Sequence, residues 1–328
     1  MKLMKDIRLD KNELPYLPPE EVLEAITKAT QEINRYTPQE KIEVLKDLLA
    51  DYNNLPPESI LLRPASDILI KELIFLFARD RKIIICDPTF IIIQNAVQKT
   101  NSPILKVKLR PAEFKFPTEV ILKEINEPTL VFLDNPNNPT GKLIITEQEI
   151  ESLLQNKYVL LFIDEAYYEF SDFTVASLVE KYNNLGVLRT LSKSFGLAGA
   201  GSGYLIAGQL IKKKLSGLEV MLPYPSVMGS ILALKNRDFF RKKLKEIQTE
   251  KTRIKTKVEE LGITTYSSQT NFLLMNTKNP YIAQELSKHG IYVYDASNYF
   301  TQGYLRVSIG TKKENNRFLE VLESLIKE

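Results

Sequence analysis

Between residues 60 and 207, short all-apolar runs alternate with longer stretches whose apolar positions recur every three or four residues. The runs read as strands buried on both faces, and the longer stretches as helices with one buried stripe. Strands are expected at 60–62, 82–86, 104–109, 130–133, 159–163, 187–190 and 204–207. Helices are expected at 66–78, 89–99, 118–126 and 146–156. Such alternation predicts an α/β fold with a mostly parallel central sheet covered by helices. Ahead of it, residues 8–19 are extended and proline-punctuated, and amphipathic helices are expected at 20–34 and 40–52. Beyond Gly208 the pattern changes. A long basic helical region (226–260, broken near Asn236) leads to strands near 271–275, 291–294 and 304–309 and a closing helix over 312–327. This reads as a smaller α+β domain. The expected division is an N-terminal segment (1–35) packing with the small domain, a large domain (36–225) and the small C-terminal domain (226–328).

Composition narrows the function classes. Apolar residues make up 44% of the 328 and charged residues 26%, so a sizeable core is available. The formal charge is +3, with Lys212, Lys213 and Lys214 as the densest basic run, which gives no reason to expect nucleic acid. No run of apolar residues approaches a membrane span and no signal-like segment opens the chain, so a cytoplasmic protein is expected. Cys86 is the only cysteine, which points to a reducing compartment. His289 is the only histidine and sits at the end of a helical pattern, where capping explains it. A histidine-rich metal site has little to draw on, and none is expected.

The candidate chemistry lies just beyond three strand ends, where open α/β sheets bind ligands. Thr190-Leu191-Ser192-Lys193-Ser194-Phe195-Gly196-Leu197-Ala198-Gly199 follows one strand and sets Lys193 among small residues. A lysine desolvated there has a lowered amine pKa and attacks carbonyls more readily. A lone Ser-Lys-Ser is ordinarily a surface loop; what changes the reading is its company. Asn135-Pro136-Asn137-Asn138-Pro139-Thr140-Gly141 and Asp164-Glu165-Ala166-Tyr167 precede it. Pyridoxal 5′-phosphate (PLP) requires an imine-forming amine, a carboxylate on its pyridinium nitrogen, donors to its ring oxygen and a phosphate cup. Lys193 and Asp164 supply the first two, and Asn138 and Tyr167 the third. A Walker B reading of the apolar strand ending in Asp-Glu lacks its partner, since Gly141-Lys142 is followed by Leu143.

With these motifs the chain resembles the fold-type I PLP aminotransferases, most closely the histidinol-phosphate aminotransferase family. The likeness runs from Leu9-Asp10-Lys11-Asn12-Glu13 and Arg35-Tyr36 through Pro88-Thr89-Phe90 and the three motifs above to Tyr304-Leu305-Arg306-Val307-Ser308-Ile309-Gly310-Thr311. The resemblance implies a transaminase that moves an amino group between an amino donor and a 2-oxo acid. Lys193 would form the internal aldimine and shuttle the proton, and Asp164 would pair with the pyridinium. Asn138 and Tyr167 would flank the ring oxygen and Phe90 would stack on the ring. Ser192, with Ala65 and Ser66, would hold the phosphate. Tyr36 would reach the partner's phosphate across a homodimer, and Arg306, with Asn12, would bind the substrate. Two alternatives stand beside it. One is a phospho-amino-acid decarboxylase of the cobalamin-pathway kind, which residues 295–299 and Leu305-Arg306 also resemble. The other is a non-catalytic relative acting as a partner subunit.

Three positions depart from that family's pattern. The phosphate-cup stretch reads Pro64-Ala65-Ser66-Asp67, where the family usually has Gly-(Ala/Ser)-Asp-Glu. Gly201 stands where the family carries a phosphate-clamping arginine, a charge-assisted contact of about 1.5–3 kcal/mol. Tyr294 stands where an arginine helps hold the substrate. The first two predict a cup resting on Ser192, the amides near Ala65 and Ser66, and Tyr36 from a second chain, with Arg63 and Lys71 as the nearest replacement cations.

Overall fold

The computed structural model describes residues 6–218 and 220–327. Its strands are β1 (Ile7–Leu9), β2 (Ile60–Arg63), β3 (Lys82–Asp87), β4 (Ile104–Lys108), β5 (Thr129–Asp134), β6 (Val159–Asp164), β7 (Leu185–Thr190), β8 (Gly203–Ala207), β9 (Thr264–Thr265), β10 (Phe272–Asn276), β11 (Ile291–Asp295) and β12 (Tyr304–Ser308). The helices are α1 (Glu20–Thr30), α2 (Gln39–Asn53), α3 (Ser66–Phe77), α4 (Ile91–Val97), α5 (Thr118–Glu124), α6 (Glu147–Leu154), α7 (Tyr168–Ser171), α8 (Gln209–Leu215), α9 (Tyr224–Lys235), α10 (Arg237–Glu260), α11 (Ile282–Lys288) and α12 (Lys312–Lys327).

The fold is α/β. Seven strands form one sheet in the order β2-β8-β7-β6-β5-β3-β4, in which β8 alone runs against the others. Every residue of β5, β6 and β7 is buried, because alternate side chains enter two separate cores. Leu130, Phe132, Leu160 and Phe162 face α3 and α4, while Val131, Leu133, Leu161 and Ile163 face the opposite layer. Local chemistry starts and stops the helices. A capping box joins Thr146 and Glu149 at the head of α6, and Asn54 ends α2 in the left-handed region (φ 53°).

A second sheet has the order β1-β11-β12-β10-β9. Its edge is the N-terminal segment: Ile7, Arg8 and Leu9 pair in parallel with Ile291, Tyr292 and Val293. Helix α1 packs on α9, which continues into α10 after Asn236. Met1–Lys5 and Glu328, at the outer ends of the expected first and third divisions, lie outside the described residues.

One expectation is corrected, and two observations add to the reading. Within 8–19, Arg8 and Leu9 belong to a strand that begins at Ile7. The helix expected over 20–34 stops at Thr30 and gives way to turns. Strand β8 is antiparallel because the loop joining it to β7 holds the lysine turn and has no crossover helix, which a parallel return requires.

Behind the site, Arg189 on β7 meets Glu165 just past β6, with guanidinium nitrogens Nε and Nη2 donating to Oε2 at 2.9 and 2.7 Å. Both residues are buried. Thr174 Oγ1 and the Val175 amide also donate to Glu165, each at 2.8 Å, and the Arg189 guanidinium lies 3.5 Å from the Tyr168 ring centroid. Removing one charge strands the other in the interior, at a cost of about 3–5 kcal/mol. Glu165→Gln is therefore expected to lower unfolding free energy by about that amount. Denaturant titration of both proteins measures it, and a loss under about 1 kcal/mol would mean the pair is dispensable.

Candidate active site

A cavity of about 480 Å³ opens at the carboxyl ends of β5, β6 and β7, between the two sheets. Its walls include Asn12, Ala65, Ser66, Phe90, Asn138, Asp164, Tyr167, Ser192, Lys193 and Arg306, and this volume is of the size that holds small cofactors. Ten of the eleven residues singled out from sequence thus share one cavity. Tyr36 does not; its side chain is 85% exposed and lies outside the cavity of its own chain.

Lys193 follows β7 through the short turn and donates its Nζ to the Lys11 carbonyl at 2.9 Å. Burial lowers its pKa to about 8, and the positive charge of Arg306 pushes the same way, while Asp67, Glu13 and Asp164 oppose them. Asp164 closes β6, with one oxygen accepting the Ala166 amide at 3.0 Å. Burial raises it to about 7, helped by the neighbouring charge of Asp134. Tyr167 follows; its hydroxyl accepts from Asn12 Nδ2 at 2.7 Å, and burial raises its pKa to about 12.

Arg306 stands on β12 with 6% exposure. Its Nη1 donates to Asn138 Oδ1 at 2.7 Å, its Nη2 donates to the Asp10 carbonyl, and its guanidinium lies 4.4 Å from the Tyr294 ring centroid. Its buried Nε has no partner among the described residues. A guanidinium so held keeps one N–H on each of Nη1 and Nη2 for an anion. Asn138, whose oxygen is committed to Arg306, keeps its amide N–H groups as donors.

At the opposite end, Ser66 and Asp67 at the start of α3 line the cavity, and no side chain caps that helix, so its first amides lack a side-chain acceptor. Strand β8 lies close against that turn: a Cβ on Gly203 would come within 2.6 Å of the Ser66 nitrogen. Ser192 Oγ lies 3.0 Å from Thr190 Oγ1 on the same wall. These features suit an anion. The replacement cations expected from sequence are elsewhere. Arg63 is forked onto Glu72 at 2.5 and 2.8 Å, and Lys71 is exposed outside the cavity. Gly201 lines the cavity at φ 66°, and a Cβ there would stand 2.8 Å from the Pro64 carbonyl oxygen. An arginine at that position has neither the backbone conformation nor the room.

Sequence reading missed Asp134, Asp10, Lys11 and Tyr299, which also line the cavity. Asp134 had a legible signal: Val-Phe-Leu-Asp closes β5 as Leu-Phe-Ile-Asp closes β6, and the two aspartates are register partners.

The family model for aminotransferase class I and II matches residues 4–322. A histidinol-phosphate aminotransferase of Thermococcus gammatolerans is 36% identical over 97% of this chain and 92% of its own length. One from Sulfurisphaera tokodaii is 32% identical over 98% and 90%. The crystal structure of histidinol-phosphate aminotransferase from Sinorhizobium meliloti in complex with pyridoxal-5′-phosphate superposes with a TM-score of 0.89. It covers 98% of this chain and 92% of that one, at 23% identity. The chain belongs to the class I and II aminotransferases, transaminases that work with PLP. The decarboxylase and non-catalytic alternatives are not favoured. The residues present fit that cofactor: an amine of low pKa, a buried carboxylate on the adjoining strand, and an uncapped helix start across the cavity.

The low pKa of Lys193 is directly measurable. In cofactor-free protein, arylation of Lys193 followed by peptide mapping should reach half its limiting rate near pH 8, since only the neutral amine reacts. An ordinary lysine does so near about 10.4, and finding Lys193 there would refute its desolvation.

Proposed function

We propose that this aminotransferase takes an amine bearing one compact anionic group, which Arg306 holds while Lys193 acts at the amine-bearing carbon. The observation that carries this reading is Arg306 itself, which lines the cavity that also contains Lys193 and has no carboxylate partner among the described residues. Bound there, PLP supplies the electron sink for the carbon that loses its proton. Asp164 is the carboxylate for the ring nitrogen, and Asn138 and Tyr167 are donors for the ring oxygen. Phe90 is the stacking face, and Ser192 with the amides of Ala65 and Ser66 forms the phosphate cup. Lys193, neutral above about pH 8, is the base that takes the proton. Asn12 orients the Tyr167 hydroxyl from one side, with Ser308 Oγ donating to its Oδ1 at 2.9 Å. A 2-oxo acid must occupy the same place in the return half-reaction, and its carboxylate suits the same guanidinium.

The names of the relatives make histidinol phosphate the first amine to test. A second reading, an aromatic amino acid, is favoured by Tyr294. Arg306 is the only arginine lining the cavity among the described residues, and its flank is an aromatic ring, which suits a carboxylate better than a doubly charged phosphate. Comparing kcat/KM for histidinol phosphate, tyrosine and phenylalanine with 2-oxoglutarate decides between them. Arg306→Lys is expected to lower kcat/KM for the preferred amine by about tenfold or more and to leave the cofactor spectrum in place. Unchanged kinetics would remove Arg306 from the substrate site.

We also propose a cytoplasmic homodimer in which Tyr36 completes the partner's phosphate cup. No helix among the described residues is long and apolar enough to cross a membrane. Tyr36, Leu218 and Met221 are exposed. They border one region, since Thr37 Oγ1 donates to the Leu222 carbonyl and Arg63 bridges Glu72 of α3 to the Leu218 carbonyl. An apolar surface of this kind next to the phosphate end suits a second copy. Sedimentation should give twice the chain mass, and Tyr36→Ala should weaken PLP binding by about tenfold, the loss of one hydrogen bond to a charged group. A monomer that keeps PLP tightly would sink this assembly.

A further inference from the structure

Asp134 has no part in the chemistry outlined above, yet it is the most heavily bonded carboxylate of the cavity. It closes β5 with 3% exposure, beside Asp164 in register on β6. Its Oδ1 accepts from Thr89 Oγ1 at 2.6 Å and from Asn137 Nδ2 at 3.0 Å. Its Oδ2 accepts the backbone amides of Phe90 at 3.2 Å and Asn138 at 2.8 Å. Those four donors come from two loops, one after β3 and one after β5. The first loop carries the phenyl ring on one wall of the cavity; the second carries the asparagine that is bonded to Arg306.

We propose that Asp134 is the positioning residue of this cofactor site, clamping Phe90 and Asn138 to one rigid carboxylate so that the ring is held in a single orientation. The proposal rests on the PLP reading. The charge of Asp134 matters as well as its shape. Three of its four donors are N–H groups that cannot accept, so an amide in place of the carboxylate turns an NH2 against at least one of them in either orientation. Four donated bonds favour the charged form on Asp134, whereas Asp164 accepts the Ala166 amide alone. The two acids accordingly differ, Asp134 being raised to about 6 and Asp164 to about 7, both mainly by burial. A cationic ring nitrogen arriving at Asp164 has Asp134 beside it on the next strand.

Two variants test this, neither through turnover. Asp134→Asn should raise the PLP dissociation constant by about tenfold or more and diminish the circular dichroism of the bound cofactor's visible band, which reports ring orientation. Thr89→Val removes one of the four bonds, keeps the carboxylate, and should give a smaller change of the same sign in both. The melting temperature of the cofactor-free protein should fall far less than the affinity does. Wild-type affinity and dichroism in Asp134→Asn would overturn the proposal; if that variant fails to fold, unchanged values in Thr89→Val overturn it. Wild-type protein that takes up no PLP would overturn the cofactor reading itself, a different outcome read from a different sample.

Discussion

Strands β5, β6 and β7 are buried along their whole length, with helices on one side and a second apolar layer on the other. A polar side chain within them would be desolvated without partners, so the strand ends are where such groups can stand. Parallel register then sets those ends side by side. Asp134 faces Asp164 across one ladder, and Asp164 faces Leu188 across the next, two residues short of the turn to Lys193. The site's spacing is therefore set by the sheet. Loops decorate it, but the positions of its two acids come from hydrogen bonding between strands.

The same burial sets the charges. It pushes the lysine toward neutrality and the aspartates toward protonation, in each case disfavouring an isolated ion. In the buried pair Arg189–Glu165, by contrast, each partner satisfies the other and the Thr174 hydroxyl joins both. One layer of the molecule thus holds settled charges behind the sheet and unsettled ones at its rim. Unsettled groups poised near neutral pH are the ones able to exchange protons with a ligand.

The sheet was legible because period-two burial on both faces writes itself as unbroken apolar runs, and the residue after each run could be read as rim. Lys193, Asp164 and Asn138 followed from that rule. Asp134 follows from it equally and was overlooked, standing between the strand expected at 130–133 and the motif that begins at Asn135. β1 has only three residues, and its pairing with β11 bridges 284 positions, so no local pattern announces it. The direction of β8 depended on a missing helix, a feature that periodicity alone does not flag. Arg63 stood near the cup in sequence, yet the carboxylate that engages it is nine residues on. Gly201 could be seen as a departure, but only the approach of the Pro64 carbonyl shows that an arginine would not fit.

The tie between Asn12 and Ser308 spans 296 residues and closes one wall of the cavity. On a ribosome adding roughly 5–20 residues each second, the early partner waits at least about 15 s for the late one. Once residue 207 is made the large sheet has all its strands, while Arg306 and its neighbours on β12 do not yet exist. A nascent chain of this kind can bury its core before it owns a complete site. Its lysine, already at the strand end, stays without the wall that will enclose it until the last strands arrive.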